Sequence, residues 1–157
     1  MSLMTSAIIR GARPADAPAI ARLIRHSKAE SMPWLAVTHT LEEDDGWVAG
    51  VLLPADDVSV AVSQADDRAL LGVIAISPGW VNHLYIATSA QGQGVGSRLL
   101  RRAQETTTED LQLWAFQRNT RARGFYERRG FVEVRSTDGD NDEREPDVLY
   151  RWEFNRT

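Results

Sequence analysis

The chain reads as an α/β protein built on a mixed sheet. Three observations predict this. Strand-like and helix-like stretches alternate along nearly the whole length. A glycine-rich run, Gln91-Gly92-Gln93-Gly94-Val95-Gly96, joins the apolar strand-like Val81–Ile86 to the helix-like Ser97–Ala103. The chain ends on a strict alternation, with Val148, Tyr150, Trp152 and Phe154 set against Leu149, Arg151 and Glu153.

Taken in order, Ile8-Ile9 opens a short strand, and Arg10–Pro14 leads into a helix whose Ala17, Ile20, Leu23 and Ile24 form an apolar stripe. Ser31–Leu35 reads as a loop. Thr40 and Glu43 have the spacing of a capping box, and the helix they start presents Trp47, Val48, Val51 and Leu52. Val58, Val60 and Val62 alternate with Ser59, Ala61 and Ser63, the pattern of a half-buried strand. Asp66-Asp67 marks a turn, and Leu70–Ile76 is the next strand. Pro78-Gly79 breaks it before the strand Trp80–Ile86. Leu111–Phe116 is strand-like, and a helix opens at Asn119. The polar, acidic stretch from Thr137 to Asp147 is expected to be a mobile loop in the last hairpin. The order is β-α-α-β-β-β-α-β-α-β-β, with no repeat and no dividing linker, so one domain over residues 4–157 is expected. Met1-Ser2-Leu3 read as a cloning remnant.

Composition narrows the classes. The 157 residues include 43% hydrophobic ones, enough for a core and too many for a disordered chain. No apolar run is long enough for a transmembrane helix. Ala7-Ile8-Ile9 is followed at once by Arg10 and Arg13, so no signal peptide is expected and the cytoplasm is the expected compartment. With no cysteine there is no disulfide, thiolate nucleophile or cysteine metal site. A net charge of −4 argues against nucleic acid as a partner.

The glycine run is the most informative feature. Glycines let a backbone approach an anion closely, and the first amides of the following helix lack intrahelical partners, so a phosphate group is the expected guest. A mononucleotide loop requires Lys-Ser/Thr after its last glycine, and Gly96-Ser97-Arg98 supplies no lysine. A dinucleotide fingerprint spaces its glycines at one, three and six, whereas Gly92, Gly94 and Gly96 fall one residue short. A plain tight turn without a ligand is the structural alternative.

The stretch HLYIATSAQGQGVGSRLL, residues 83–100, resembles the acetyl-CoA pyrophosphate signature Gln/Arg-x-x-Gly-x-Gly/Ala of the GNAT superfamily of N-acetyltransferases. A second block, Asn119-Thr120-Arg121-Ala122-Arg123-Gly124-Phe125-Tyr126 followed by Gly130-Phe131, is similar to that family's Asn-x-x-Ala-x-x-Phe-Tyr and Gly-Phe. Here Asn119 suits an N-cap, Ala122, Phe125 and Tyr126 share a helix face, and Gly130 suits a C′ position. The resemblance covers roughly residues 6–154, with sharp motifs only between 81 and 131.

It implies a mixed, twisted sheet splayed between the fourth and fifth strands and flanked by about four helices. It further implies acetyl-CoA as co-substrate, with no metal. Pantetheine is then expected along Leu84, Tyr85 and Ile86. The pyrophosphate is expected on amides of Gln91, Gly92, Gln93, Gly94, Val95, Gly96 and Ser97, with Asn119 and Ala122 beside the acetyl end. Acyl transfer to a primary amine requires a polarised carbonyl, for which a backbone amide near Leu84–Ile86 is the candidate. It also requires a proton for the leaving thiolate. Tyr126 stands at the family's general-acid position; a tyrosine at about 10 is protonated at neutral pH and close enough to a thiol at about 8.5. A core aromatic is its structural alternative. The glutamate that some members carry five residues before the asparagine is Trp114 here, so His83 is the nearest candidate base, with an ordinary strand histidine or a water chain as alternatives. The loop Ser31–Thr40, with Met32, Pro33, Trp34 and Leu35, and the acidic stretch Asp138–Asp147 frame the expected acceptor pocket, for a small-molecule or peptide amine, with a merely solvated loop as the alternative for the acidic stretch. A homodimer is compatible with this reading. A catalytically silent acyl-CoA sensor or interaction module is the second functional reading.

Overall fold

The computed structural model describes residues 7–155, so Met1-Ser2-Leu3 and both ends of the expected 4–157 span lie outside the described residues. The elements are β1 (Ala7–Gly11), α1 (Ala17–Ser31), α2 (Leu41–Trp47), a π-helical turn (Val48–Leu52), α3 (Leu53–Ala55), β2 (Asp57–Ser63), β3 (Asp66–Ser77), β4 (Trp80–Ile86), α4 (Val95–Thr106), β5 (Leu111–Phe116), α5 (Thr120–Glu127), β6 (Val132–Thr137) and β7 (Asp147–Trp152). With α2, the π turn and α3 taken as one helical segment, this is the expected order.

The strands form one seven-stranded sheet, β1-β2-β3-β4-β5-β7-β6. Every neighbouring pair is antiparallel except β4 and β5, which are parallel. That parallel contact consists of a single register pair, Trp80 with Gln112, next to a bond from the Gln112 amide to the Gly79 carbonyl at 2.9 Å. β5 instead pairs with β7 along all six of its residues. The sheet is therefore splayed between β4 and β5, as expected.

Two cores cover the two faces. On one, Ile20, Leu23 and Ile24 of α1 join Val48 and Leu52 over Val58, Val60, Val62, Val73 and Ala75. On the other, Leu99, Leu100 and Ala103 of α4 pack with Ala61, Ile74, Val81, Leu111, Leu113, Val148 and Tyr150, and with Tyr126 and Phe131. This second core spans both halves of the split sheet.

Four local expectations change. Ser59 and Ala61 are 6% and 1% exposed, so β2 is buried on both faces rather than half-buried; Ala61 belongs to the core under α4. The β2–β3 turn falls at Gln64-Ala65, and Asp66-Asp67 belong to β3. Asp67 is held there by Arg10 and Arg13, each at 2.9 Å. The π turn after α2 inserts an extra residue into the helical register, so Val48 and Leu52 stay buried while Val51 is 54% exposed. The stretch expected to be mobile is tied by its own side chains. Asn141 Nδ2 donates to the Glu145 carbonyl (2.7 Å) and to Asp147 Oδ2 (2.9 Å), and Thr137 donates to Asp147.

Candidate active site

The split between β4 and β5 opens a cleft of about 110 Å³. β4 contributes Val81, Asn82, His83, Leu84 and Tyr85, and β5 contributes Leu113, Trp114, Ala115 and Phe116. Asn119, Ala122 and Tyr126 reach it from α5 and its cap, and Met32 from the end of α1. His83, Leu84, Tyr85, Asn119, Ala122 and Tyr126 are thus brought together. The backbone causes this: a parallel pair with one rung leaves the strand edges beyond it unpaired by each other.

Asn119 positions α5. Its Oδ1 accepts the Ala122 amide at 3.2 Å as an N-cap, which commits the carbonyl oxygen and leaves the side-chain amide as donor. One and two turns on, Ala122 and Tyr126 fall on the same face. Tyr126 is buried, edge-on to Phe125 at 5.3 Å and to Phe131 at 5.7 Å. Its hydroxyl makes no hydrogen bond to a described residue. Burial, and then the neighbouring Tyr85, push its pKa well above the ordinary tyrosine range. Burial also pushes Tyr85 up to about 12, with Glu143 adding to it.

His83 is no hydrogen-bonded strand histidine. Its ring lies edge-on to Trp47 at 5.2 Å and stacked on Tyr85 at 6.2 Å, and it bonds to no described neighbour. Burial, and then Lys28, lower its pKa to about 4, against a smaller opposite pull from Asp56. The imidazole is therefore neutral at neutral pH.

The glycine turn stands at the end of β4. Gly92 and Gly94 have φ of 77° and 84°, in the left-handed region, and Gly94 is the N-cap of α4. A Cβ on Gly96 would meet Phe125 at 3.3 Å and Ile86 at 3.4 Å, so a larger residue would press these side chains aside where the helix start packs against β4 and α5. Gln91 Nε2 donates to the Ile86 carbonyl at 3.4 Å and Gln93 Nε2 to the Ser89 carbonyl at 3.1 Å, so both glutamine side chains brace the turn. Ser27 reaches the same Ile86 carbonyl at 3.4 Å, which leaves Ile86 less free than Leu84 or Tyr85. Val95 and Gly96 are buried, and Ser97 is half-buried.

The rim contains residues that single-chain reading did not place. Arg118 sits 4.5 Å over the Trp34 ring and forms a two-bonded ion pair with Glu145 (2.7 and 2.9 Å). Trp34 in turn is edge-on to Phe116 at 5.8 Å. The α1–α2 loop and the last hairpin are thus joined across the cleft mouth. Trp114, at the position where a glutamate would be the base, is 41% exposed, with the Arg135 guanidinium 5.1 Å over its ring. Trp47, Lys28 and Arg129 also reach site residues, and no local motif announces them because their partners are distant in sequence. Among the described residues no three metal-binding side chains cluster, and no helix is long and apolar enough to cross a membrane.

Comparison with known proteins agrees with this geometry. Residues 41–133 match the family model described as an acetyltransferase (GNAT) domain. A 52-residue segment, 32% of the chain, is 42% identical to "Probable N-acetyltransferase Rv2775" of Mycobacterium tuberculosis, and it spans only 30% of that relative's length. Apo YjaB from Escherichia coli superposes with a TM-score of 0.76 at 22% identity, over 93% of this chain and 97% of its own. The PaiA N-acetyltransferase from Thermoplasma acidophilum, solved in complex with coenzyme A, superposes with a TM-score of 0.74 at 17% identity, over 95% of this chain and 99% of its own. The splayed sheet is thus the GNAT fold, and the chain belongs to the GNAT family of acetyltransferases.

Proposed function

We propose that this chain, as one domain over residues 4–157, transfers the acetyl group of acetyl-CoA to a primary amine by direct attack. The observation that carries the reading is the cleft in the β4–β5 split, with Tyr126 among its lining residues and the glycine turn at the start of α4. The coenzyme A held by PaiA supports the choice of cofactor. Pantetheine lies along β4 as a substitute strand, bonding to backbone at Leu84 and Tyr85 and more weakly at Ile86. The pyrophosphate rests on amides from Gln91 to Ser97. Asn119 donates to the pantetheine or acetyl end, and Ala122 leaves it room.

The amine lone pair attacks the thioester carbonyl, a C–N bond forms, and the C–S bond breaks. A backbone N–H of the open β4 edge stabilises the oxyanion. Tyr126 gives the departing sulfur its proton. Burial makes the phenol a weaker acid, but the same surroundings disfavour a free thiolate, so the proton passes to the sulfur as the C–S bond breaks. His83, neutral and desolvated, accepts the proton that the nitrogen loses, directly or through water. A base held near 4 cannot strip a solvated ammonium. The acceptor therefore enters as the free amine, its own pKa lowered by the same aromatic walls.

Thiol release from acetyl-CoA, measured across a panel of small and peptide amines, tests this. Tyr126→Phe is expected to lower kcat by about a hundredfold with little change in acetyl-CoA KM. Unchanged turnover would remove Tyr126 from the chemistry. Acetyl-CoA binding with no turnover on any amine would favour the silent sensor.

A further inference from the structure

The Arg129 guanidinium sits where a cation is electrostatically out of place. Its Nε donates to Ser97 Oγ at 3.1 Å, and its Nη2 bonds the same oxygen. Nη1 donates to the Phe125 carbonyl at 2.9 Å, and the group lies 3.8 Å from the centroid of the Phe125 ring. Ser97 is the third residue of α4. The start of a helix carries the positive end of its dipole and its unpaired amides, which attract anions and repel cations. No carboxylate among the described residues pairs with Arg129, and the side chain is half-buried. Burial and the adjacent Arg128 both act against its charge. Positive charge thus stands at the start of α4, beside the glycine turn, with no carboxylate partner among the described residues.

The bonding also orients Ser97. An oxygen that accepts two guanidinium N–H groups has one proton of its own left to donate, and that proton points away from Arg129. The geometry points to Arg129 as a positioning residue for the coenzyme A pyrophosphate, which it serves by fixing the Ser97 hydroxyl as a donor to the anion and by adding its own charge to the turn. This rests on the coenzyme A reading above. It adds a side-chain contribution from just beyond the end of α5 to a turn otherwise argued from backbone amides. Arg129 follows directly on the helix that carries Tyr126, and its own amide bonds the Tyr126 carbonyl at 3.0 Å.

The test compares three probes on the intact chain: coenzyme A and dephospho-coenzyme A by calorimetry, and pantetheine, which has neither phosphate group, by chemical-shift titration. Arg129→Met keeps the packing on Phe125. It is expected to weaken coenzyme A and dephospho-coenzyme A on the order of tenfold, to leave pantetheine within about twofold, and to flatten the salt dependence of coenzyme A binding. Ser97→Ala, which removes one oxygen, is expected to act in the same direction by about threefold, and it serves if Arg129→Met folds poorly. Equal weakening of all three probes would make Arg129 merely structural and overturn the assignment. So would an effect confined to coenzyme A, which would place Arg129 at the 3′-phosphate. If the wild-type chain binds pantetheine as tightly as coenzyme A, the phosphate role of the turn fails, and this assignment with it. If it binds pantetheine weakly and coenzyme A well while both variants match wild type, only the Arg129 assignment falls.

Discussion

His83 is held neutral by burial and by Lys28, and that has a consequence for stability. Its folded pKa of about 4 lies below the unfolded value of 6.5, so the unfolded chain binds the extra proton between those limits. Stability from this group is complete above pH 6.5 and is lost as the pH falls toward 4, to a total of about 3 kcal/mol. Denaturant melts of wild type and His83→Asn at pH 7 and pH 4.5 check this: the variant should lose markedly less on acidification. The same value predicts that the acid limb of the kcat/KM profile follows the acceptor amine and not an imidazole near 6.5. Asn119 caps α5 and, under the proposed function, donates to the cofactor, so Asn119→Ala removes both. It should cost about 1 kcal/mol through the lost cap, a fall of roughly 2–4 °C in Tm, and should weaken coenzyme A binding as well. At this scale the sequence was legible where a motif concentrated the signal, as at Asn119, Ala122 and Tyr126. It was silent where partners came from elsewhere. Trp47 meets His83 across 36 residues, and Arg129 meets Ser97 across 32.

Helix α4 shows how much an element depends on its start. Gly94 holds φ at 84°, and Gly94→Ala places a side chain in the left-handed region at about 1 kcal/mol or more. The loss of Tm is expected to be a few degrees, with a larger loss of the stabilisation that coenzyme A confers, because the amides proposed to hold the pyrophosphate move with the residue. Thermal melts with and without coenzyme A separate the two effects. Strand and helix order could be read from period alone, because an α/β chain alternates two clearly different repeats. The π turn could not. Trp47, Val48, Val51 and Leu52 read as one face of an ordinary helix, and the extra residue that leaves Val51 exposed makes no mark on composition. The acidic stretch misled for a related reason. Asn141, Asp147 and Thr137 look like solvated polar residues, yet they bond to one another and close the hairpin.

Part of the strand order follows from the sequence: short turns pair β2 with β3 and β3 with β4, and an α-helical crossover makes β4 and β5 parallel, whereas the pairing of β1 with β2 across the first helices and the place of β7 between β5 and β6 do not. The width of the opening was not visible, since it reflects how few rungs join β4 to β5. That single rung, Trp80 with Gln112, leaves the two halves of the sheet almost without backbone continuity. What unites them is the apolar core under α4, in which Leu100 packs with residues of both halves. Cooperativity of unfolding is therefore a side-chain property here. Leu100→Ala, at roughly 2–5 kcal/mol, should do more than lower the melting point. It should broaden or split the calorimetric transition into two, one per half-sheet. Acetyl-CoA laid along the gap would restore the missing rungs and merge the peaks again, so the co-substrate would be measured as a removable strand of the fold.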